Sequence, residues 1–286
     1  MTPNLTQPDA DAIFHIAFYQ FVTLEDPDAV VAHLRELVQP LTGSILVAAE
    51  GINGVLAGTV PALHAFEQAL QHDPRLQGKF AGITFKRSAC ATKPFWKVRV
   101  HRKAEIVAFG VEGVTGVNAD ADSGARPPTH VSPQAWRELI ARDDVVVIDN
   151  RNSFEFRLGH FKSALDPKVD TFRDFPDYIK AHAPHWQATG KRVAMYCTGG
   201  IRCEKTSRWM QDLGLDVVQL DGGILNYFQA MPDADKDWEG ECFVFDNRIA
   251  LDTTLHETAT TAEDVYQGDP ADEWRLQRAR RLDSAG

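Results

Sequence analysis

Cys197 and Arg202 stand five positions apart, with two glycines between them. The apolar run before Cys197 is typical of a strand, and the pattern after Arg202 predicts a helix that ends at Gly214. A glycine-containing loop between a strand and a helix can point several backbone N–H groups inward, and the helix dipole adds positive charge. We therefore expect a lowered pKa for Cys197 and a reactive thiolate.

The charged neighbours of Cys197 strengthen this interpretation, because Arg202 and Lys205 would place positive charge beside the sulfur. Cys203 lies about one helical turn into the following helix. It is either a redox partner that forms a disulfide with an oxidised Cys197 or a packed thiol behind the loop. The alternative for Cys197 itself is a small buried apolar residue at the end of a strand. The predicted active-site loop comprises Cys197, Thr198, Gly199, Gly200, Ile201, Arg202 and Lys205.

The loop resembles the active site of the rhodanese family, in which Cys-x-x-x-x-Arg surrounds a sulfur that can carry a persulfide. Two further segments match that family in the correct order. The first runs from Ile148 to Phe161 and contains D-x-R-x-x-x-E followed by G-H, and the second is Leu220 to Ile224 with its glycine pair. The resemblance implies a rhodanese-like parallel α/β domain across Ser132 to Met231.

The polar residues of those segments favour a structural role. Asp149 and Arg151 follow a buried strand and would pair with each other or with loop backbone, while Glu155 and His160 would hold the turn. We do not place these four residues in the catalytic group. The Gly222-Gly223 pair predicts a tight turn that needs the backbone freedom of glycine.

The first hundred residues read strand, helix, hairpin, helix, strand. Ile13 to Val22 predicts a strand, and a helix follows Asp26-Pro27. Two short apolar runs around the turn 50–53 predict a hairpin, Pro61 begins a second helix, and Ile83 to Phe85 with Val98 to Val100 supply the remaining strands. This order predicts a ferredoxin-like (split βαβ) domain.

A small, polar, proline-containing stretch at 118–129 predicts a linker. The expected organisation is therefore a ferredoxin-like, RNA-binding domain at 1–117, the linker at 118–129, a rhodanese-like catalytic domain at 130–232, and an irregular C-terminal extension at 233–286. Within that extension, Arg275 to Leu282 is either a basic helix or a frayed tail.

A basic segment lies in the predicted first domain. Lys86 to Lys103 carries seven Lys or Arg and no Asp or Glu, although the whole chain has a formal net charge of -10. In strand geometry Lys97, Arg99 and His101 would share one face. A basic strip with aromatic rings is typical of an RNA-binding surface, whereas the alternative is a solvated edge strand. The predicted RNA-binding residues are Lys86, Arg87, Lys93, Trp96, Lys97, Arg99 and Arg102.

Composition limits the remaining classes. The 286 residues are 44% hydrophobic and 24% charged, as in globular proteins, and no apolar stretch approaches a membrane span. The four cysteines are too few and scattered for a secreted disulfide framework, and no ligand spacing indicates zinc. We expect a cytoplasmic protein with no membrane partner, no metal site and no recognisable cofactor motif.

Three longer motifs narrow the family. The stretch from Cys197 to Lys205, the segment from Ala49 to Gly54, and the segment from Cys242 to Asp246 resemble the bacterial rhodanese-related family of oxygen-dependent tRNA uridine hydroxylases. The resemblance covers roughly Phe14 to Arg248. It implies hydroxylation at C5 of the wobble uridine to 5-hydroxyuridine, with tRNA bound through its anticodon loop, molecular oxygen as co-substrate and Cys197 as the catalytic residue.

Two other functions remain open from the residues alone. A thiosulfate or persulfide sulfurtransferase would use the same loop. A non-catalytic RNA-binding or thiol-sensing module would use the basic segment and a cysteine without turnover. The mechanism of oxygen activation does not follow from these residues.

Overall fold

The computed structural model describes residues 12–117 and 129–283, and the chain divides into two compact units, residues 1–106 and 107–286. Within the described ranges, no helix is both long enough and apolar enough to cross a membrane. The predicted linker at 118–129 lies almost wholly outside the described residues. Residues 107–117, placed in the first domain by the sequence, contribute Phe109 to a core cluster of the second unit. The domain boundaries stay a prediction.

The first unit is a sheet with two helices. Its elements are β1 (Ile13–Phe21), α1 (Pro27–Leu37), β2 (Thr42–Ala48), β3 (Gly51–Thr59), α2 (Val60–His72), β4 (Lys86–Ala89) and β5 (Val98–Arg102). The strand order is β4-β1-β3-β2-β5. All neighbours are antiparallel except β2 and β5, which are parallel. The ferredoxin-like prediction is confirmed, with β5 added at one edge.

One face of this sheet packs against the helices because its inward positions are apolar. Ile16, Ile45 and Ile52 have no exposed surface, and Leu34 of α1 and Leu63 of α2 complete the cluster. Alternation along each strand leaves the other set of side chains on the opposite face. We call this opposite face, against which α1 and α2 do not pack, the open face.

Two local predictions in this unit differ from the structure. The predicted strand Ile83 to Phe85 is not one, and β4 begins at Lys86. Ile83 instead closes a turn by donating its backbone N–H to Phe80, and its side chain fills the core from there. The hairpin turn is shorter than predicted, because β3 begins at Gly51, where φ is +136°.

The second unit contains a parallel sheet. Its elements are β6 (His130–Val131), α3 (Pro133–Ile140), β7 (Val145–Asp149), α4 (Ser153–Leu158), β8 (Gly159–Phe161), β9 (Ala164–Leu165), α5 (Phe175–Ala188), β10 (Arg192–Tyr196), α6 (Ile201–Asp212), β11 (Val217–Leu220), α7 (Gly223–Ala230), β12 (Trp238–Gly240), β13 (Cys242–Phe243), β14 (Ala250–Leu251), α8 (Ala262–Tyr266) and α9 (Glu273–Asp283). The strand order is β6-β11-β10-β7-β9, with every pairing parallel. The prediction of a rhodanese-like parallel α/β domain is confirmed.

Central strands of this sheet are buried on both faces, as their continuous apolar sequence predicts. Val193, Ala194 and Met195 of β10 have no exposed surface. Because β7 and β10 are neighbouring parallel strands, their carboxyl ends lie at the same edge of the sheet. The loops that follow these two strands carry the residues of the candidate site.

The C-terminal segment packs on the second unit. β12 pairs with β8, and Leu276 of α9 belongs to a cluster with Phe154 of α4 and Phe243 of β13. Of the two alternatives for the stretch from Arg275, the helix is confirmed, because Leu276 is buried while its arginine neighbours Arg278, Arg280 and Arg281 are exposed.

Candidate active site

The loop 197–200 connects the end of β10 to the start of α6, as the sequence predicts. Gly200 precedes the helix with a φ of +100°, a left-handed conformation that glycine adopts most readily. This turn brings the backbone N–H of Gly200 to 3.1 Å from Cys197 Sγ, to which it donates. The sulfur therefore sits at a helix N-terminus among backbone donors, an arrangement that favours an anion.

The surroundings of Cys197 stabilise its thiolate. Burial by itself would raise the pKa of Cys197, but a hydrogen bond from the Cys203 thiol, the charge of Arg202, and backbone N–H groups of Cys203 and Arg202 outweigh it and lower the pKa to about 5. A cysteine with this pKa is almost entirely ionised at neutral pH. Cys197 has no exposed surface, so a large substrate reaches the sulfur only after the covering residues move.

Arg202 is held by a buried carboxylate. Its two terminal nitrogens donate to the two oxygens of Glu155, both at 2.8 Å, and Glu155 has no exposed surface. Burial would raise the pKa of Glu155, but the charge and hydrogen bonds of Arg202 lower it. Glu155 also accepts from the backbone N–H of Asn152, which caps α4. Glu155 thus does more than hold the turn: it orients the arginine beside the sulfur.

The start of α7 supports the loop from the other side. The backbone N–H groups of Ile224 and Leu225 donate to the carbonyl oxygens of Cys197 and Thr198, at 3.0 and 3.2 Å. Gly223 has a φ of +70°, and a Cβ there would lie 2.4 Å from the Cys197 carbonyl oxygen. The predicted need for glycine is confirmed, and its physical reason includes this close approach.

A second buried ion pair lies behind the site. Arg151 donates from Nε to Oδ1 of Asp149 at 2.9 Å and from its terminal nitrogen to Oδ2 at 2.6 Å, and neither side chain is exposed. The guanidinium also lies over the rings of Tyr196 and Trp238, at 5.7 and 5.5 Å. The predicted pairing of Asp149 with Arg151 is confirmed. The His160 ring stacks on the Phe156 ring, with centroids 3.8 Å apart.

Cys203 and Lys205 are placed inside α6. Both have no exposed surface, and the pKa of the Cys203 thiol is raised, first by burial and then by hydrogen bonding and proximity to Cys197. Cys203 therefore keeps its proton.

The sequence did not predict Asn150 as a residue near the site. Asn150 follows β7 and is completely buried, and its side-chain amide donates to Cys203 Sγ at 3.8 Å and to Thr206 Oγ1 at 3.0 Å. The sequence held a signal for it, because Asn150 directly follows a predicted strand of a parallel sheet, and the carboxyl ends of parallel strands lie at one sheet edge. The partner of a polar residue there cannot be read from spacing.

The basic segment is not one continuous strip. Lys86 and Arg87 belong to β4 and Arg99 and Arg102 to β5, which are opposite edges of the sheet, about 19 Å apart at four strand spacings. Lys93, Trp96 and Lys97 lie in the stretch between them, where the Lys93 ammonium is 5.7 Å from the Trp96 ring centroid.

Register nevertheless puts some of these residues on one face. Lys86 pairs with Ala17, Ala17 with Val55, Val55 with Ser44, and Ser44 with Arg99 in a single cross-strand row. This row lies on the open face. Arg87 and Arg102 point to the helix side instead, because they contact Glu67 of α2 at 2.6 Å and Asp28 of α1 at 3.8 Å.

The strand positions of the open face carry cations and no carboxylate. Besides Lys86 and Arg99 they include His101, and the aromatic rings of Tyr19 and Phe21. Beside Arg99, a groove of about 440 Å³ is lined by Arg35, Gln39 and His101. The pKa of His101 is lowered, first by burial and then by the charges of Lys103, Arg99 and Arg35. The strand positions of this face thus hold two full cations, Lys86 and Arg99, in a chain whose net charge is -10.

Fold and site together define a rhodanese-domain protein with an acylphosphatase-like partner domain. Residues 13–106 match the family model described as the UPF0176 acylphosphatase like domain, and residues 132–230 match the rhodanese-like domain. Among the part of the chain that the structure describes, no group of three or more His, Cys, Asp or Glu is placed to hold a metal ion.

Relatives place the chain within a particular family. A tRNA uridine(34) hydroxylase of Acinetobacter baumannii (strain AYE) is 42% identical over 250 residues, covering 85% of this chain and 74% of that protein. The protein of the same name from Legionella pneumophila (strain Corby) is 38% identical over 84% of this chain and 90% of its own length. The chain belongs to the tRNA uridine(34) hydroxylase family.

A solved structure is also similar in part. A rhodanese-like domain protein from Staphylococcus aureus covers 35% of this chain and 90% of its own, with 19% identity and a TM-score of 0.29. The strand order and the two family models define the fold.

Proposed function

We propose that this protein hydroxylates C5 of the wobble uridine, position 34, of tRNA to 5-hydroxyuridine, with molecular oxygen as co-substrate and Cys197 as the catalytic nucleophile. One observation carries the proposal: relatives named for uridine 34 hydroxylation match a chain whose Cys197 has a pKa lowered to about 5 in a loop of backbone donors.

Two roles for the sulfur fit this site. Addition of the thiolate to C6 of uracil would make C5 electron-rich and reactive toward an oxidant. Alternatively, an oxidised form of Cys197 would carry the oxygen. In either route one atom of O2 ends on C5 and the other leaves as water, so an external reductant supplies two electrons and two protons.

The open face of the first unit is the proposed contact for the anticodon loop. Unpaired bases of a loop can stack on aromatic rings, and a strand face with exposed aromatics is a known way to bind single-stranded RNA. Lys86 and Arg99 flank a floor of small side chains, which leaves room for bases between two phosphate contacts. Lys93, Trp96 and Lys97 extend this surface, whereas Arg87 and Arg102 contribute less because they have carboxylate partners.

The decisive test is nucleoside mass spectrometry of tRNA from a strain that lacks its native hydroxylase gene. Complementation with the wild type should restore 5-hydroxyuridine, and Cys197→Ala should lower it by more than about 100-fold, a typical effect of losing a nucleophile. Cys90→Ser is the matched control, because Cys90 is a half-buried thiol of the first unit. Full 5-hydroxyuridine with Cys197→Ala would refute the assignment of Cys197.

The loop by itself favours a second candidate, a sulfurtransferase. The thiolate would attack the outer sulfur of thiosulfate, release sulfite and form a persulfide, which then passes its sulfur to a thiol or cyanide. Thiosulfate turnover by the purified protein, without any effect on tRNA, would support this candidate. Binding of tRNA without either activity would point to a non-catalytic RNA-binding or thiol-sensing module.

A further inference from the structure

Asn150 links the two elements on either side of the active-site loop. Its backbone N–H donates to the carbonyl oxygen of Tyr196, the residue before Cys197, at 2.8 Å. Its side-chain amide donates to Cys203 and Thr206 of α6, at 3.8 and 3.0 Å. A displacement of Asn150 would therefore reach both the strand and the helix that position the sulfur.

Cys203 interacts with both Asn150 and Cys197. Its sulfur accepts from the Asn150 amide at 3.8 Å, and it lies in the same buried cluster as Cys197, whose pKa it lowers. A protonated thiol has only one hydrogen to donate. Because the amide N–H is directed at the sulfur, the S–H bond points away from the amide, and the lowered pKa of Cys197 identifies Cys197 as its acceptor.

The side-chain carbonyl oxygen of Asn150 indicates that this residue has a role other than stabilising the fold. Asn150 Oδ1 is buried and has no hydrogen-bond partner. An unsatisfied buried carbonyl destabilises the folded protein, and a leucine of similar volume would avoid that loss. The amide is therefore an unfavourable choice for packing, and its N–H groups explain its presence.

We propose that Asn150 is a positioning residue for Cys197: it holds the Cys203 thiol so that the S–H group donates to the Cys197 sulfur. Asn150 acts through Cys203 and does not contact the reacting sulfur. The inference rests on the proposed function only in taking Cys197 as the reactive nucleophile. Other groups around the pair are Arg202 of α6, Glu155 of α4, Arg151 after β7 and Cys242 of β13, and the variants below leave all of them in place.

The test measures the thiol directly, without tRNA or oxygen. The protein is alkylated with iodoacetamide across pH 4 to 10, and the modified fraction of Cys197 is followed by mass spectrometry. Trypsin cuts after Arg192 and Arg202, so Cys197 and Cys203 fall in different peptides. The variants are Asn150→Leu, Asn150→Ala, Cys203→Ala and Cys203→Ser. Ser207→Ala is the matched control, because Ser207 is buried and bonds only the Cys203 backbone carbonyl, at 2.8 Å.

If Asn150 acts on Cys197 through Cys203, the variants should change the pH midpoint of Cys197 alkylation to different extents. Cys203→Ala should raise it by about one pH unit or more, since a hydrogen bond to a charged group is lost. Asn150→Leu and Asn150→Ala should raise it by about half a unit or more, Cys203→Ser should shift it less than Cys203→Ala, and Ser207→Ala should leave it unchanged. The double variant Asn150→Leu/Cys203→Ala should have the same midpoint as Cys203→Ala alone, because both changes interrupt the same interaction from Asn150 through Cys203 to Cys197.

Several results would overturn the proposal. A wild-type midpoint in Cys203→Ala would remove the donor role of Cys203, and a wild-type midpoint in both Asn150 variants would remove the role of Asn150. Additive shifts in the double variant would show two independent effects. Should Asn150→Leu fold poorly, Asn150→Ala, which removes the amide without adding bulk or charge, decides the question. Predicted midpoint shifts without any 5-hydroxyuridine in wild-type complementation would overturn the proposed function and leave this inference standing.

Discussion

Gly223 touches the backbone of Cys197. A Cβ atom at Gly223 would lie 2.4 Å from the Cys197 carbonyl oxygen and 2.9 Å from the backbone nitrogen of Gly200. Both atoms are main-chain atoms of the loop that surrounds the sulfur, so they cannot move without changing that loop.

Gly223→Ala should therefore destabilise the protein by more than about 2 kcal/mol and lower the reactivity of Cys197, because the strain at positive φ is joined by overlap with backbone. Gly190→Ala is the matched control: Gly190 also has a positive φ, +63°, but nothing lies within 4 Å of its added Cβ. It should lose only about 1 kcal/mol. Urea unfolding of both variants checks this, and equal losses would contradict the close approach.

The reactivity of Cys197 should follow its thiolate. Because the pKa is lowered to about 5, the alkylation rate should fall as the pH drops through about 5 and be level from about pH 6 upward. The same peptide in the guanidinium-unfolded protein provides the control, with a midpoint near the ordinary cysteine value of about 8.5. A midpoint near 8.5 in the folded protein would show that the loop does not stabilise the anion.

Glu155→Gln should remove about 3–5 kcal/mol of stability at neutral pH, because it leaves the buried Arg202 charge without its partner. Asp216→Asn breaks the exposed pair with Arg192 and should lose less than about 1 kcal/mol. Arg202 lowers the pKa of Glu155 against the opposing effect of burial. The stability that the ionised Glu155 contributes is present above the ordinary glutamate pKa and is lost as the pH falls through the lower pKa of the folded state. The free energies of unfolding of Glu155→Gln and the wild type should therefore converge in acid.

Charge neutralisation should separate the two faces of the first sheet. Lys86→Gln and Arg99→Gln, on the open face, should each weaken tRNA binding by roughly fivefold at low salt, with a shallower salt dependence. Arg87→Gln and Arg102→Gln change neighbouring residues that point to the helix side, and each should change the dissociation constant less than twofold. Electrophoretic mobility shift with an anticodon stem-loop measures both, and equal effects at Lys86 and Arg87 would refute the proposed surface.

Much of the candidate site was predictable because it is local in sequence. The strand, the two glycines and the helix around Cys197 are contiguous, so the loop and its lowered pKa follow from a short segment. The parallel strands were predictable for the same reason, since continuous apolar runs such as Val145 to Ile148 indicate burial on both faces. The strand at Ile83 to Phe85 was wrong because an apolar run fits a buried turn as well as a ladder.

The sequence by itself determined the loop from Cys197 to Arg202 between a strand and a helix, the order of the two folds and the charge of the basic segment. Tertiary structure alone decided which distant residues meet. Asn150 reaches Cys203 and Glu155 reaches Arg202 because parallel strands end at one edge of the sheet, and Lys86 joins Arg99 on the open face because strand register sets the facing of every side chain. Such contacts depend on pairing across the fold, which residue spacing does not encode.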